Sequence, residues 1–75
     1  MTANADVAEF TAATDSKITR KQVKDLGLPR GVTIGGLLRN GHGMLVSGMT
    51  QIQPGDSVMV FAHDVNLRNI EKLFK

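Results

Sequence analysis

The side chains with chemical reach in this sequence are two histidines, a few carboxylates and a cluster of cations. His42 and His63 stand 21 positions apart, which is not the HxH or HxxxH spacing that brings two imidazoles to one metal ion. His42 lies between Gly41 and Gly43, in what reads as a hairpin tip, and is expected to be solvated. His63 ends the most apolar run of the chain; it is placed to face a cleft, although a strand-end histidine is more commonly structural. Ser47-Gly48 and Ser57 read as turn and strand-start residues, not as the serine of a Gly-x-Ser-x-Gly elbow. Asp56, directly after Pro54-Gly55, has the setting of an aspartate that accepts hydrogen bonds from its own turn. No catalytic constellation is complete, and no enzyme is expected.

The chain has no cysteine, which excludes disulfides, zinc–thiolate sites and thiol catalysis; no metal or cofactor is expected. Gly31, Gly35, Gly36, Gly41 and Gly43 do not spell a dinucleotide or phosphate-loop pattern. Five of the nine basic residues (Lys17, Arg20, Lys21, Lys24 and Arg30) fall within 14 positions in which Asp25 is the only acid. Such a cluster either binds an anion or forms a solvated helix face with i,i+4 pairs. Nucleic-acid readers usually supply aromatics for base stacking, and none lies between Thr11 and Val60, while the net charge is only +2. Nucleic acid is therefore not expected. Arg30, beside Gly31 at the mouth of a strand, is the better candidate for a specific anion contact.

The positioning elements are legible in outline. "DVAEFTA" alternates, with Val7, Glu9 and Thr11 on one face and Ala8, Phe10 and Ala12 on the other, as in a half-buried strand. "ITRKQVKDLGLP" reads as a two-turn helix: Thr19 and Gln22 form a capping box, Ile18 and Val23 a staple, and Gly27 and Pro29 the stop. "VTIGGLLR" is a strand with Val32, Ile34, Gly36 and Leu38 on one face, and its Gly35-Gly36 pair invites a close neighbour. Asn40-Gly41 is a hairpin turn, Met44 to Val46 a returning strand, and Gln53 to Asp56 a second turn. Ser57 to Ala62 is apolar on both faces and is expected to be covered on both. Asp64 or Asn66 then caps a last helix with Leu67, Ile70, Leu73 and Phe74 as its apolar stripe.

The order is β-α-β-β-β-α, an α+β fold with a small, mostly antiparallel sheet and two helices, expected to form one domain over residues 1–75 with 1–5 disordered. A chain of 75 residues buries only about 60–65% of its unfolded surface and is marginal alone. That favours a second copy, or the remainder of a longer chain. No stretch approaches the roughly 18 apolar residues of a membrane span, and Met1 to Asp6 lacks the pattern of a secretory signal.

The ordered set "DLGLPRGVTIGGLLRNG" followed by "TQIQPGDSVMVFAHDVNLRNIEKLF" resembles the TrkA-C domain of bacterial potassium-uptake regulatory proteins, also called the C-lobe of the RCK domain. The matching residues are Leu28-Pro29, Val32 to Arg39, Thr50, Pro54-Gly55-Asp56, Val58 to Phe61 and Leu67 to Phe74. No one piece is specific; the order of all of them over residues 7–74 is. The resemblance implies a non-enzymatic regulatory domain that forms a homodimer on the cytoplasmic face of a membrane-embedded potassium transporter. Some branches of that family bind the cyclic dinucleotide cyclic di-AMP between two such domains, through an Ile-Arg-Ala-like segment. Here Leu28 to Val32 is shorter and departs from that pattern, with Arg30 as the surviving cation. By resemblance the ligand-binding positions are Arg30, Gly31, Val32 and His63. The rival reading is a small β-rich interaction module that binds nucleic acid or protein. A ubiquitin-like sulfur carrier is excluded, because the tail "EKLFK" has no terminal Gly-Gly.

Overall fold

A computed structural model describes residues 5–75. Four strands, β1 (Ala5–Thr11), β2 (Val32–Arg39), β3 (His42–Leu45) and β4 (Ser57–His63), form one sheet in the order β1-β4-β2-β3. Every neighbouring pair is antiparallel. The last strand in sequence thus lies in the interior of the sheet. The expected disorder of residues 1–5 falls outside the described residues, except that Ala5 opens β1.

β4 alternates strictly. Val58, Val60 and Ala62 are buried, and Met59, Phe61 and His63 are exposed. The expectation of cover on both faces is therefore corrected: one row faces the core and the other faces out. The core joins the inner row to Ala12, Ile18, Ile34, Leu37, Ile52, Ile70 and Phe74, and Phe10 stacks on Phe74 at 5.1 Å.

β2 changes face along its length. A bulge between Ile34 and Gly36 lets both Ile34 and Leu37 point inward, so Leu38 faces out instead of sharing a face with Ile34. An extra residue in one strand shifts the alternation by one. The close neighbour that Gly35-Gly36 invited is an aromatic ring: a Cβ at Gly35 would lie 2.4 Å from Phe61 Cε2. The β2–β3 turn is the expected Asn40-Gly41, both with positive φ (53° and 80°). β3 spans His42–Leu45, so His42 is the first residue of a strand and is exposed.

The first expected helix is not an α-helix. Two 3-10 turns, Lys17–Thr19 and Val23–Asp25, are separated by Gln22 in an extended conformation (φ −63°, ψ 153°), and neither turn has a side-chain cap. The cause is competition for the backbone. Val23 N–H donates to the Thr50 carbonyl and Lys24 N–H to that of Gly48, both at 2.9 Å, while Gln22 bridges to Gln51. Thr19 spends its hydroxyl on the Ser16 carbonyl at 2.7 Å instead of capping. The final helix, α1 (Leu67–Glu71), is capped by Asn66, whose side chain accepts from Arg68 N–H, and a 3-10 turn over Lys72–Phe74 follows it.

Gly31 ties the start of β2 to the end of β4. It has φ +90°, its carbonyl accepts from His63 N–H at 2.8 Å, and a Cβ there would lie 2.4 Å from the His63 carbonyl oxygen. Gly31→Ala is expected to lower stability by about 2–3 kcal/mol, because backbone must move and the φ is unfavourable. Gly41→Ala, with φ +80° but open space around it, should cost about 1 kcal/mol. Urea denaturation of both variants checks the ranking.

Candidate functional site

Three of the four sequence-nominated positions meet at one corner of the sheet. Arg30 and Gly31 precede β2, His63 ends β4, and the Gly31–His63 backbone hydrogen bond joins them. Val32 pairs with Ala62 and so belongs to the inner row, half-buried. His63 Nε2 lies 3.3 Å from Asp64 Oδ2, with both side chains largely exposed. None of the four lines either of the two clefts described below. Among the described residues no group of three or more His, Cys, Asp or Glu side chains is arranged to hold a metal.

The outer row of β4 leads from that corner onto an open apolar surface. By register, Val7 sits opposite Phe61, Glu9 opposite Met59, and Leu38 opposite Ser57, while Leu45 sits opposite Gly36 in the next strand pair. Leu45 is 91% exposed, Val7 57%, Leu38 46%, Met59 41% and Phe61 40%. A shallow trough of about 480 Å³ runs across this face, lined by Gly35, Gly36, Leu38, Leu45, Met59 and Phe61 among others. Glu9 is the one formally charged side chain that the described strands present on it. A contiguous exposed apolar face of this kind is a candidate interaction surface. The reading from the sequence missed it by treating a two-faced apolar strand as a covered one. The same signal, in a chain too small to cover both faces of a sheet, points to an unpartnered face.

The other missed feature is ionic. Asp56 is buried, with its side chain 2% exposed. Its Oδ2 accepts from Arg39 Nη2 at 2.8 Å and from Gln53 N–H at 2.8 Å, and its Oδ1 accepts from Arg39 Nε at 3.0 Å. Arg39 also donates to the Gln51 carbonyl at 3.2 Å. The expected bond to the aspartate's own turn is present, and a bidentate arginine from the end of β2 is added to it. The Arg39 hydrogen bonds hold the Asp56 carboxyl below its ordinary pKa, against the opposing effect of burial, and the Gln53 amide adds to the lowering. Arg39 is raised in turn by the Asp56 hydrogen bond.

A sheet of this order with one open apolar face, and an arginine at a strand end locked to a Gly-Asp turn, invites comparison with known proteins. The sequence matches the TrkA-C domain over residues 7–75. The chain belongs to the TrkA-C family. It is 32% identical over 71 residues to Trk system potassium uptake protein TrkA homolog 2 of Methanosarcina mazei, covering 95% of this chain and 16% of that protein. With the potassium uptake protein TrkA of Azorhizobium caulinodans it shares 31% identity over 70 residues, 93% of this chain and 15% of the relative. This TrkA-C chain thus spans about a sixth of the length of those relatives. Its fold is that of a solved structure described as an RCK domain with cda, at a TM-score of 0.74 and 18% identity, covering 99% of this chain and all of the other.

In this TrkA-C chain the Arg39–Asp56 pair gives stability a defined pH dependence. An unfolded aspartate titrates at about 3.9, and the folded one lies lower. Between those values the unfolded state binds more protons, so stability rises with pH. The contribution is complete above about pH 5 and is lost as pH falls through the folded value. Asp56→Asn should cost about 2 kcal/mol at neutral pH and flatten the acid limb of stability between roughly pH 5 and pH 3. Denaturant titrations across that range read both effects, and an unchanged acid limb would refute the assignment.

Proposed function

We propose that this TrkA-C chain is a non-catalytic regulatory module of a potassium-uptake protein. In this reading residues 1–75 act as one unit on the cytoplasmic side of the membrane, self-associate through the open sheet face, and bind a small anionic ligand at its margin. The observation that carries the reading is the apolar face of Val7, Leu38, Leu45, Met59 and Phe61, with His63 continuing the same outer row. Two copies related by a twofold axis would each cover the other's exposed row. They would also bring two sets of Arg30, Gly31 and His63 toward the edge of the shared surface, with Val32 beneath. The homology to Trk potassium uptake proteins supports the transport context. The solved RCK domain with cda supports a small-ligand site on a domain of this fold. The strands present Glu9 and no cation on this face, which disfavours the rival reading of a nucleic-acid module. No helix among the described residues is long and apolar enough to cross a membrane.

Sedimentation velocity tests the assembly. A dimer is expected, and Leu45→Asp should weaken it at least about tenfold, since burying one leucine is worth about 1.5–3 kcal/mol. Leu45 is almost wholly exposed, so this change leaves the fold intact. A chain that stays monomeric at high concentration, or a dimer indifferent to Leu45→Asp, would sink the assignment. Calorimetric titration with cyclic di-AMP tests the ligand. Binding of one ligand per two chains, lost in Arg30→Ala, is the expected result; no heat from a confirmed dimer would reduce the module to assembly alone.

A further inference from the structure

The cation cluster is not used by the sheet-face reading, and the structure gives it a setting that its sequence does not show. In an α-helix Lys17/Lys21 and Arg20/Lys24 would pair along one solvated stripe. The break at Gln22 prevents that. Lys24 is carried off against the loop at Gly48, where a Cβ on that glycine would meet the Lys24 Cβ at 3.3 Å. Lys17, Arg20 and Lys21 remain together, exposed, around a cleft of about 240 Å³ whose other walls include Leu26, Leu28 and Leu73. These three half-buried leucines come from two segments, Leu26 and Leu28 from the end of the second 3-10 turn and Leu73 from the C-terminal turn, and pack on the core. The ion pairs among the described residues are Arg39–Asp56, His63–Asp64 and Lys75–Glu71, so none engages this trio. Arg20 makes a hydrogen bond to the Asp15 backbone carbonyl at 3.0 Å, which orients the guanidinium without neutralising it.

We propose that this cleft binds a small amphiphilic anion, with an apolar body against Leu26, Leu28 and Leu73 and a carboxylate or phosphate head among Lys17, Arg20 and Lys21. The size of the cleft limits the ligand. Sites for drug-sized molecules occupy roughly 300–1,000 Å³, and this one lies below that range, too small for a dinucleotide or a folded peptide. The lining requires both halves of the ligand. Exposed cations each add no more than about fivefold in affinity, so a bare, strongly hydrated anion is held weakly. The leucine walls release water only to an apolar body. The cleft shares no lining residue with the trough on the sheet face, and this proposal stands whether or not the chain dimerises.

The test is an amide chemical-shift titration of the 75-residue chain with hexanoate, hexyl phosphate, hexanol and inorganic phosphate in parallel. The proposal expects saturable shifts around Lys17, Lys21, Leu28 and Leu73 with hexanoate or hexyl phosphate, and the stronger of the two identifies the preferred head. Hexanol and inorganic phosphate should bind at least about tenfold more weakly. The double variant Lys17→Gln/Lys21→Gln, at two exposed positions, should weaken binding by about fivefold or more. Equal binding of hexanol would make the cleft a plain apolar patch, and equal binding of phosphate a plain anion site; either overturns the proposal. It is equally overturned by shifts confined to Leu45, Met59 and Phe61, by no binding, or by association only with phosphatidylglycerol vesicles, which would move the cations to a lipid surface.

Discussion

The Arg39–Asp56 pair is the constraint on which the rest of the sheet depends. A carboxylate taken out of water is costly unless its oxygens are met, and Asp56 has both of them occupied by Arg39 and Gln53. The bidentate geometry fixes more than a distance. It ties the last residue of β2 to the residue before β4, so the β2–β4 pairing begins from a defined place. The backbone of the same turn then engages β1: Ala12 N–H donates to the Asp56 carbonyl at 2.9 Å, and Gly55 N–H to that of Ala12 at 2.8 Å. One polar turn thereby sets the register of both strands that flank β4. A slip of one residue would exchange the inner and outer rows of the whole sheet, which is why so polar a turn stands directly before so apolar a strand.

With register fixed, the division of the molecule into two unequal faces follows. The inner row is closed by Ile18, Ile52, Ile70 and Phe74, which come from the 3-10 turn, the loop before the Pro-Gly-Asp turn and the C-terminal helical segment. Those segments are spent in covering one side. Nothing else in the described chain reaches the outer face, and its apolar residues are left to solvent or to a partner. The bulge at Gly35 contributes to that outcome. It turns Leu38 outward, and it leaves room for the Phe61 ring to lie across the strand where a side chain would otherwise stand. The outer surface is flattened by the absence of a Cβ at Gly35 and Gly36, which suits the approach of another flat surface.

The sequence carried the parts of this architecture that are governed by local chemistry. Asn40-Gly41, the alternation of β1, the Asn66 cap and the turn at Asp56 each depend on a few adjacent residues, and each stands where the pattern put it. The failures have a common cause in partners distant along the chain. The capping box at Thr19 and Gln22 is a sound local signal, but it lost to hydrogen bonds offered by Gly48 and Thr50, more than 20 residues away. The Gly35 bulge depends on the Phe61 ring, and the salt bridge joins residues 17 positions apart. Of the nominated positions, Arg30, Gly31 and His63 are brought to one end of the sheet because β2 and β4 are neighbours, while Val32 belongs to the inner row by pleat alone.

The close packing of the inner row of β4 restricts how a module of this kind could transmit a signal. Val58, Val60 and Ala62 are buried to within 1% on the strand whose other row carries Met59, Phe61 and His63. A close-packed inner row resists the small shifts that would re-aim the outer one. A ligand at the Gly31–His63 corner could therefore do little by deforming the sheet beneath it. Its leverage would lie in contacting two protomers at once, so that one arrangement of rigid sheets is favoured over another. The free energy available is then the difference in ligand contacts between two dimer geometries, typically about 1–3 kcal/mol. In such a dimer the linkage would run in reverse as well: whatever favoured the ligand-preferring arrangement of the two faces would tighten the ligand by an equal factor.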